Sequence, residues 1–213
     1  MKNIKSIIGV VLVLCLVPSM GVSATYKINF KNRTSQTLTQ AVCAVHSKKA
    51  SIFTIGSPAS SGLAELAQDG VASQFRSEVT AMTGVKATAV GDFISPGSKS
   101  TTSITALRGK RISCVIGMLV ATNDAFPAFQ GVRLPKRVGQ RVRFRARTYD
   151  AGSEVNSESC DHVPGGPCDA HFVGVAENGT VEEHGGLLGT GDLNPNQHGW
   201  SEPAVRGKIT RVK

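Results

Sequence analysis

The chain has 213 residues, 40% of them hydrophobic, enough for one domain with a sizeable core. With 24 Lys and Arg against 15 Asp and Glu, its net charge is +9, which favours polyanionic partners such as acidic glycans, lipid headgroups or extracellular nucleic acid. Aromatic residues make up only 5%, too few to interleave a basic surface with base-stacking platforms, so specific nucleic-acid binding is not expected.

Lys2 and Lys5 precede an apolar run from Ile7 to Val17, followed by Pro18, Ser19, Gly21 and the small-residue end Val22-Ser23-Ala24. This reads as a secretory signal over residues 1–24, cleaved after Ala24, with a core too short to anchor in a bilayer. Leu14 before Cys15 lacks the small side chain that lipidation requires. No later apolar stretch is long enough for a membrane helix. A secreted or periplasmic domain over residues 25–213 is expected, with 22 basic and 15 acidic residues and a net charge of +7.

Polar and apolar residues alternate from Thr25 to Phe30, and Leu38 to Val45 follows a polar turn, which predicts two strands. Ser60 to Gly70 has a hydroxyl cap, a Leu63, Leu66 and Ala67 stripe and a glycine stop, so a short helix is predicted, with a second helical turn over 71–82. Ala87 to Ser98 is rich in Gly, Ser and Pro and reads as a connection. Ser100 to Leu107 alternates as a strand, and Arg111 to Ala121, apolar on both faces, reads as a central strand with Asp124 just past its exit.

The clearest period lies at Arg141, Arg143, Arg145 and Arg147, which alternate with Val142, Phe144 and Ala146 in a half-buried strand with Asp150 just past its end. After Glu154 the chain is glycine-rich until a final strand over 204–210. Many short strands and few helical patterns predict an all-β antiparallel sandwich with short helical insertions.

Two segments carry candidate chemistry: Thr122-Asn123-Asp124-Ala125-Phe126 and Tyr149-Asp150-Ala151-Gly152-Ser153-Glu154. Carboxylates on loops held by strands suit calcium, which takes about six to eight oxygens at about 2.3–2.6 Å. The competing reading is that Asp124 and Asp150 are turn residues accepting backbone hydrogen bonds.

The arginine row could follow a sulfated or phosphorylated chain through its bidentate forks, supported by Arg133, Lys136 and Arg137, or could be a solvated face that blocks edge aggregation. Cys160 and Cys168 close a Pro- and Gly-rich loop and are expected to pair, whereas Cys43 and Cys114 in apolar runs fit either a second bridge or buried thiols.

The ordered motifs Tyr26–Phe30, Gly62–Gly70, Met118–Phe126, Tyr149–Asn156, Cys160–Cys168, Gly191-Asp192-Leu193 and Trp200–Ile209 resemble the spondin domain, the amino-terminal calcium-binding domain of F-spondin and of exported bacterial homologues. The resemblance covers nearly all of residues 25–213. It implies a β-sandwich similar to calcium-dependent phospholipid-binding domains, with calcium held by Asp124, Asp150 and Glu154. Gly152 would turn the last two toward one ion. The sequence departs from the pattern near His184, where a second histidine four residues on is replaced by Leu188.

Asp192-Leu193-Asn194-Pro195-Asn196 copies the start of a helix-loop-helix calcium loop but lacks its glycine and closing glutamate. His46, His162, His171, His184 and His198 have no zinc-ligand spacing, and no nucleophile elbow, His-Glu-x-x-His pair or phosphate loop occurs. The expectation is a non-enzymatic calcium-binding module acting in cell-surface or extracellular-matrix binding and adhesion, with an acidic glycan, matrix component or cell-surface protein as partner. The alternatives are a polyanion binder in which calcium is only structural and, remotely, a metal-dependent hydrolase.

Overall fold

The computed structural model describes residues 23–107, 109–168 and 174–213; almost all of the segment over 1–24 that is expected to be a signal, including Cys15, and also His171, lie outside the described residues. The elements are strands β1 (Ala24–Asn32) and β2 (Val42–His46), helices α1 (Ser61–Asp69) and α2 (Ala72–Ala81), then strands β3 (Val85–Val90), β4 (Lys99–Ala106), β5 (Arg111–Val115), β6 (Ala125–Arg133) and β7 (Arg141–Asp150). A 3-10 turn (Cys160–His162), β8 (Glu182–Glu183), helix α3 (Pro195–His198) and β9 (Val205–Arg211) complete the chain.

The strands form an antiparallel sheet in the order β3-β2-β5-β6-β7-β9-β1-β4, with β8 added beside β7. Strand β7 belongs to both halves: Arg141 to Ala146 pair with β9, and Arg147 to Asp150 pair with β6. The sheet turns at that switch, so its halves face each other and the end strands β3 and β4 come into contact. All-β architecture with short helical insertions is therefore what the molecule has.

Alternation sets the two layers of core. Tyr26, Ile28 and Phe30 of β1 point inward with Ile104, Phe144 and Ile209 and meet Cys43, Val45, Ile112 and Phe129 of the other half. Phe144 stacks on Phe129 at 4.2 Å between centroids and meets Phe30 edge-on at 5.8 Å. Phe30 can reach Phe144 because Gly207 lies between them on β9; a Cβ there would come within 2.3 Å of Phe144 Cζ. On the opposite face of the β2-β5-β6 half, Val42, Ala44, Val115 and Phe126 pack against Leu63, Leu66, Phe75 and Val79 of the helices.

Helix α1 begins and ends where its sequence places it. Ser60 Oγ accepts from Leu63 N–H, and Gly70, at φ 72°, takes the left-handed conformation that closes the helix. Four expectations along the chain are corrected. The strand expected over 111–121 stops at Val115, because Gly117 turns the chain at φ 63° with Thr39 packed where a side chain would sit. The Gly- and Pro-rich stretch over 87–98 holds part of β3, and of the run from Leu38 only Val42 onward joins β2. Strand β6 is an element that the sequence pattern does not mark, and Asp124 stands at its entry rather than at a strand exit.

Both cysteine pairs are disulfides. Cys160 bonds to Cys168, and Cys43 to Cys114, which sit directly opposite on β2 and β5 with Cα atoms 4.1 Å apart. A non-hydrogen-bonded antiparallel pair brings Cα atoms to about this separation, so ladder register alone delivers the two thiols to each other.

Candidate metal centre

Asp124 and Asp150 meet because β6 starts where β7 ends. Ala125 is paired with Asp150, and Ala151 N–H donates to Asp124 O at 3.2 Å, so the two acids flank one rung of the ladder. Asp150 then folds its own continuation: its Oδ1 accepts from Gly152 N–H at 2.6 Å, an Asx turn. Gly152 sits at φ 65°, and a Cβ there would meet Thr180 N at 2.6 Å, so both backbone and space require glycine.

The turn aims the next two residues back at Asp124. Its Oδ2 accepts from Ser153 N–H at 2.7 Å, Ser153 Oγ–H at 2.9 Å and Glu154 N–H at 3.0 Å. Asp124 is 0% exposed, and its other oxygen, Oδ1, is buried with no hydrogen-bond partner. A buried acceptor left empty costs on the order of 1–3 kcal/mol, more when it is charged.

The electrostatics have one sign. Burial first, then the Asp150 carboxylate, push Asp124 up to about 6, although the three donors on Oδ2 act in the opposite direction. Burial, then Asp124 and Asp69, push Glu154 up to about 7. The one salt bridge among the described residues joins Arg147 to Glu183, so no Lys or Arg is bonded to these acids. Asp69, at the end of α1, is an acid of this neighbourhood that the spacing of the two loops did not reveal.

Hard oxygen donors, an unpartnered buried carboxylate oxygen and mutual repulsion among acids all fit a divalent cation of the calcium type. The side chains do not form a finished cage. Asp150 Oδ2 takes the Asn156 amide, Glu154 accepts from Gly174 N–H, and no three His, Cys, Asp or Glu side chains among the described residues converge as a complete ligand set. Asp124 is the fixed point of the group, and Asp150 and Glu154 are its neighbours.

Nearby residues have structural work. Asn123 Nδ2 donates to His162 O at 3.2 Å, and Tyr149 packs between Phe53 and Phe126. His184 Nδ1 accepts from Gly186 N–H, so a neutral ring carries its proton on Nε2, which is buried without a partner. That tautomer offers a donor and no metal-binding lone pair. Burial lowers the His184 pKa, against the pull of Asp150, Glu158 and Glu202. Leu188, where the resemblance calls for histidine, is 77% exposed and supplies its N–H to Glu158. Asp192 caps the Cys160 turn, accepting from Cys160 N–H at 3.1 Å, a turn-capping role in place of a calcium-loop one.

The arginine row stands as alternation placed it: Arg141, Arg143, Arg145 and Arg147 are all exposed. Arg147 differs from the other three, because both Glu183 carboxylate oxygens bind its Nη1 at 2.8 Å. No protein-family model matches the chain, and no curated protein matches it significantly.

Proposed function

We propose that this protein is an exported calcium-binding β-sandwich of the spondin type that works as a binding and adhesion module at the cell surface or in the extracellular matrix, without catalysis. The observation that carries the reading is Asp124 Oδ1, a buried carboxylate oxygen with no partner, beside two further acids. Calcium would bind through Asp124, Asp150 and Glu154, with backbone carbonyls and water completing its shell. Its charge would offset the burial and the mutual repulsion that raise Asp124 and Glu154. Because Asp124 ties the start of β6 to the turn after β7, an ion here fastens two strands and the loop over 151–156. Export is supported by the two disulfides, which persist in oxidising compartments, and by the leader pattern of the sequence.

The test is a thermal melt in calcium and in chelator. Calcium is expected to raise the melting temperature by several degrees in wild type, and Asp150→Asn to remove most of that rise, since Asn keeps the Oδ1 that accepts from Gly152. Identical melts in both conditions would overturn the proposal.

A further inference from the structure

The sheet register gathers cations that are scattered in the sequence. Arg145 pairs with Arg206, Arg206 with Lys31 and Lys31 with Lys99, so one rung across β7, β9, β1 and β4 carries four cations. At about 4.8 Å per strand they span about 14 Å. The next exposed rung holds Arg143 and Lys208 beside Asn29 and Thr101, whose side chains bond to each other, and the one after holds Arg141 and Lys27. No Asp or Glu occurs in Ala24–Asn32, Lys99–Ala106, 141–146 or Val205–Arg211.

From this surface we infer a binding site for an extended sulfated polysaccharide, laid across the strands of the four-stranded half-sheet. Like charges placed directly opposite one another destabilise a sheet, so this arrangement carries a cost that a polyanion would reverse. Protection against edge-to-edge aggregation does not account for it, because β7, β9 and β1 are interior strands and β4 alone is an edge. The surface also has relief. A groove of ≈ 810 Å³ runs over it, lined by Lys31, Lys99, Thr101, Arg143, Arg206 and Lys208. Guanidinium forks bind two oxyanion oxygens at once, and Asn29 and Thr101 offer partners for sugar hydroxyls.

Other polyanions fit less well. Tyr26, Phe30 and Phe144 are turned into the core, so the face has no aromatic platform for bases. The large exposed apolar side chains, such as Ile55, Phe93 and Leu107, lie outside these four stretches, so the face carries no wedge for a lipid surface. The site is separate from the acids around Asp124 and supplies a ligand class that the calcium reading leaves open.

The experiment measures heparin affinity across a salt series, in calcium and in chelator, for wild type and two triple variants. One is Lys99→Gln/Arg145→Gln/Arg206→Gln; the other, Lys48→Gln/Lys49→Gln/Lys86→Gln, removes equal charge from exposed positions elsewhere. Wild-type melting behaviour qualifies each variant as folded. The face variant is expected to lose at least about tenfold in affinity and about three units of the slope of log K against log salt, and the control less than one unit. Equal losses in both variants would reduce the effect to net charge and overturn the proposal. Tighter binding to phosphatidylserine vesicles or a single-stranded oligonucleotide than to heparin at matched salt would overturn it too. Heparin binding that persists in chelator, in a protein whose melt ignores calcium, would refute the calcium reading alone.

Discussion

Ser153 closes over Asp124 from 29 positions along the chain, giving its amide and hydroxyl hydrogens to Asp124 Oδ2 at 2.7 and 2.9 Å. The partner oxygen Oδ1 stays buried and unpartnered. One carboxylate thus has one oxygen used by the fold and one left open, which separates its structural role from its proposed role with calcium. Asn at this position keeps an oxygen for the three donors and removes the charge. In chelator at about pH 7.5, Asp124→Asn is expected to melt at or above wild type, because an uncompensated buried charge has gone. A fall of several degrees by calorimetry would mean that the ionised carboxylate itself holds the loop.

The same charges set a pH dependence. Asp124 rises from 3.8 to about 6 and Glu154 from 4.5 to about 7, burial being the first cause for both. The folded state therefore holds these protons more tightly than the unfolded chain. Without calcium, their contribution to stability is full below about pH 4 and is lost as pH rises to about 7. The melting difference between wild type and Asp124→Asn/Glu154→Gln in chelator isolates this contribution from the histidines, and it should grow in the variant's favour from about pH 5 to about pH 7.5. A difference independent of pH would contradict the raised values.

Glu158 serves as an internal latch. It adopts φ 52°, and its carboxylate accepts from the N–H groups of Leu188, Gly189 and Thr190, the last two at 2.6 and 2.9 Å. Burial works against its charge, but these donors hold its pKa below the usual 4.5, so its contribution is present above that value and fades as pH falls below it. Glu158→Gln should cost about 1–3 kcal/mol in denaturant melts and speed amide exchange over 188–190. Unchanged exchange there would show that the loop is held by other contacts.

How much of this could be read from residues in order differs from element to element. Helix α1 was legible because Ser60 and Gly70 act within one turn of it, and β7 because its arginines mark a two-residue period. Strand β6 was hidden by Pro127, which usually argues against an interior strand; here it is paired with Thr148, and its carbonyl accepts from Ile116 N–H at 2.7 Å. The apolar run after Val115 concealed the turn at Gly117, whose reason is the nearby Thr39, far away in sequence. Asp124, Asp150 and Glu154 can be grouped from their two loops in the sequence, but what brings Asp124 and Asp150 together is the β6–β7 ladder. Lys31, Lys99, Arg206 and Lys208 belong to the basic face only through register, which no local pattern encodes.

Gly207 tests the core beneath that face. A Cβ would come within 2.1 Å of Asn29 O and 2.3 Å of Phe144 Cζ, forcing the Phe30 and Phe144 rings apart. Gly207→Ala should destabilise by about 1–3 kcal/mol in urea, the usual range for overpacking. A neutral substitution would mean that β9 shifts freely, contrary to the close fit of the inward row.

Calcium binding itself is tested most directly by calorimetric titration of the metal-free protein with calcium at about pH 7.5, in wild type and in Asp124→Asn. Saturable binding of one ion is expected in wild type and none in the variant, with the variant still folded by its melt. One-site binding of equal strength in both proteins, or no binding in wild type, would contradict this expectation.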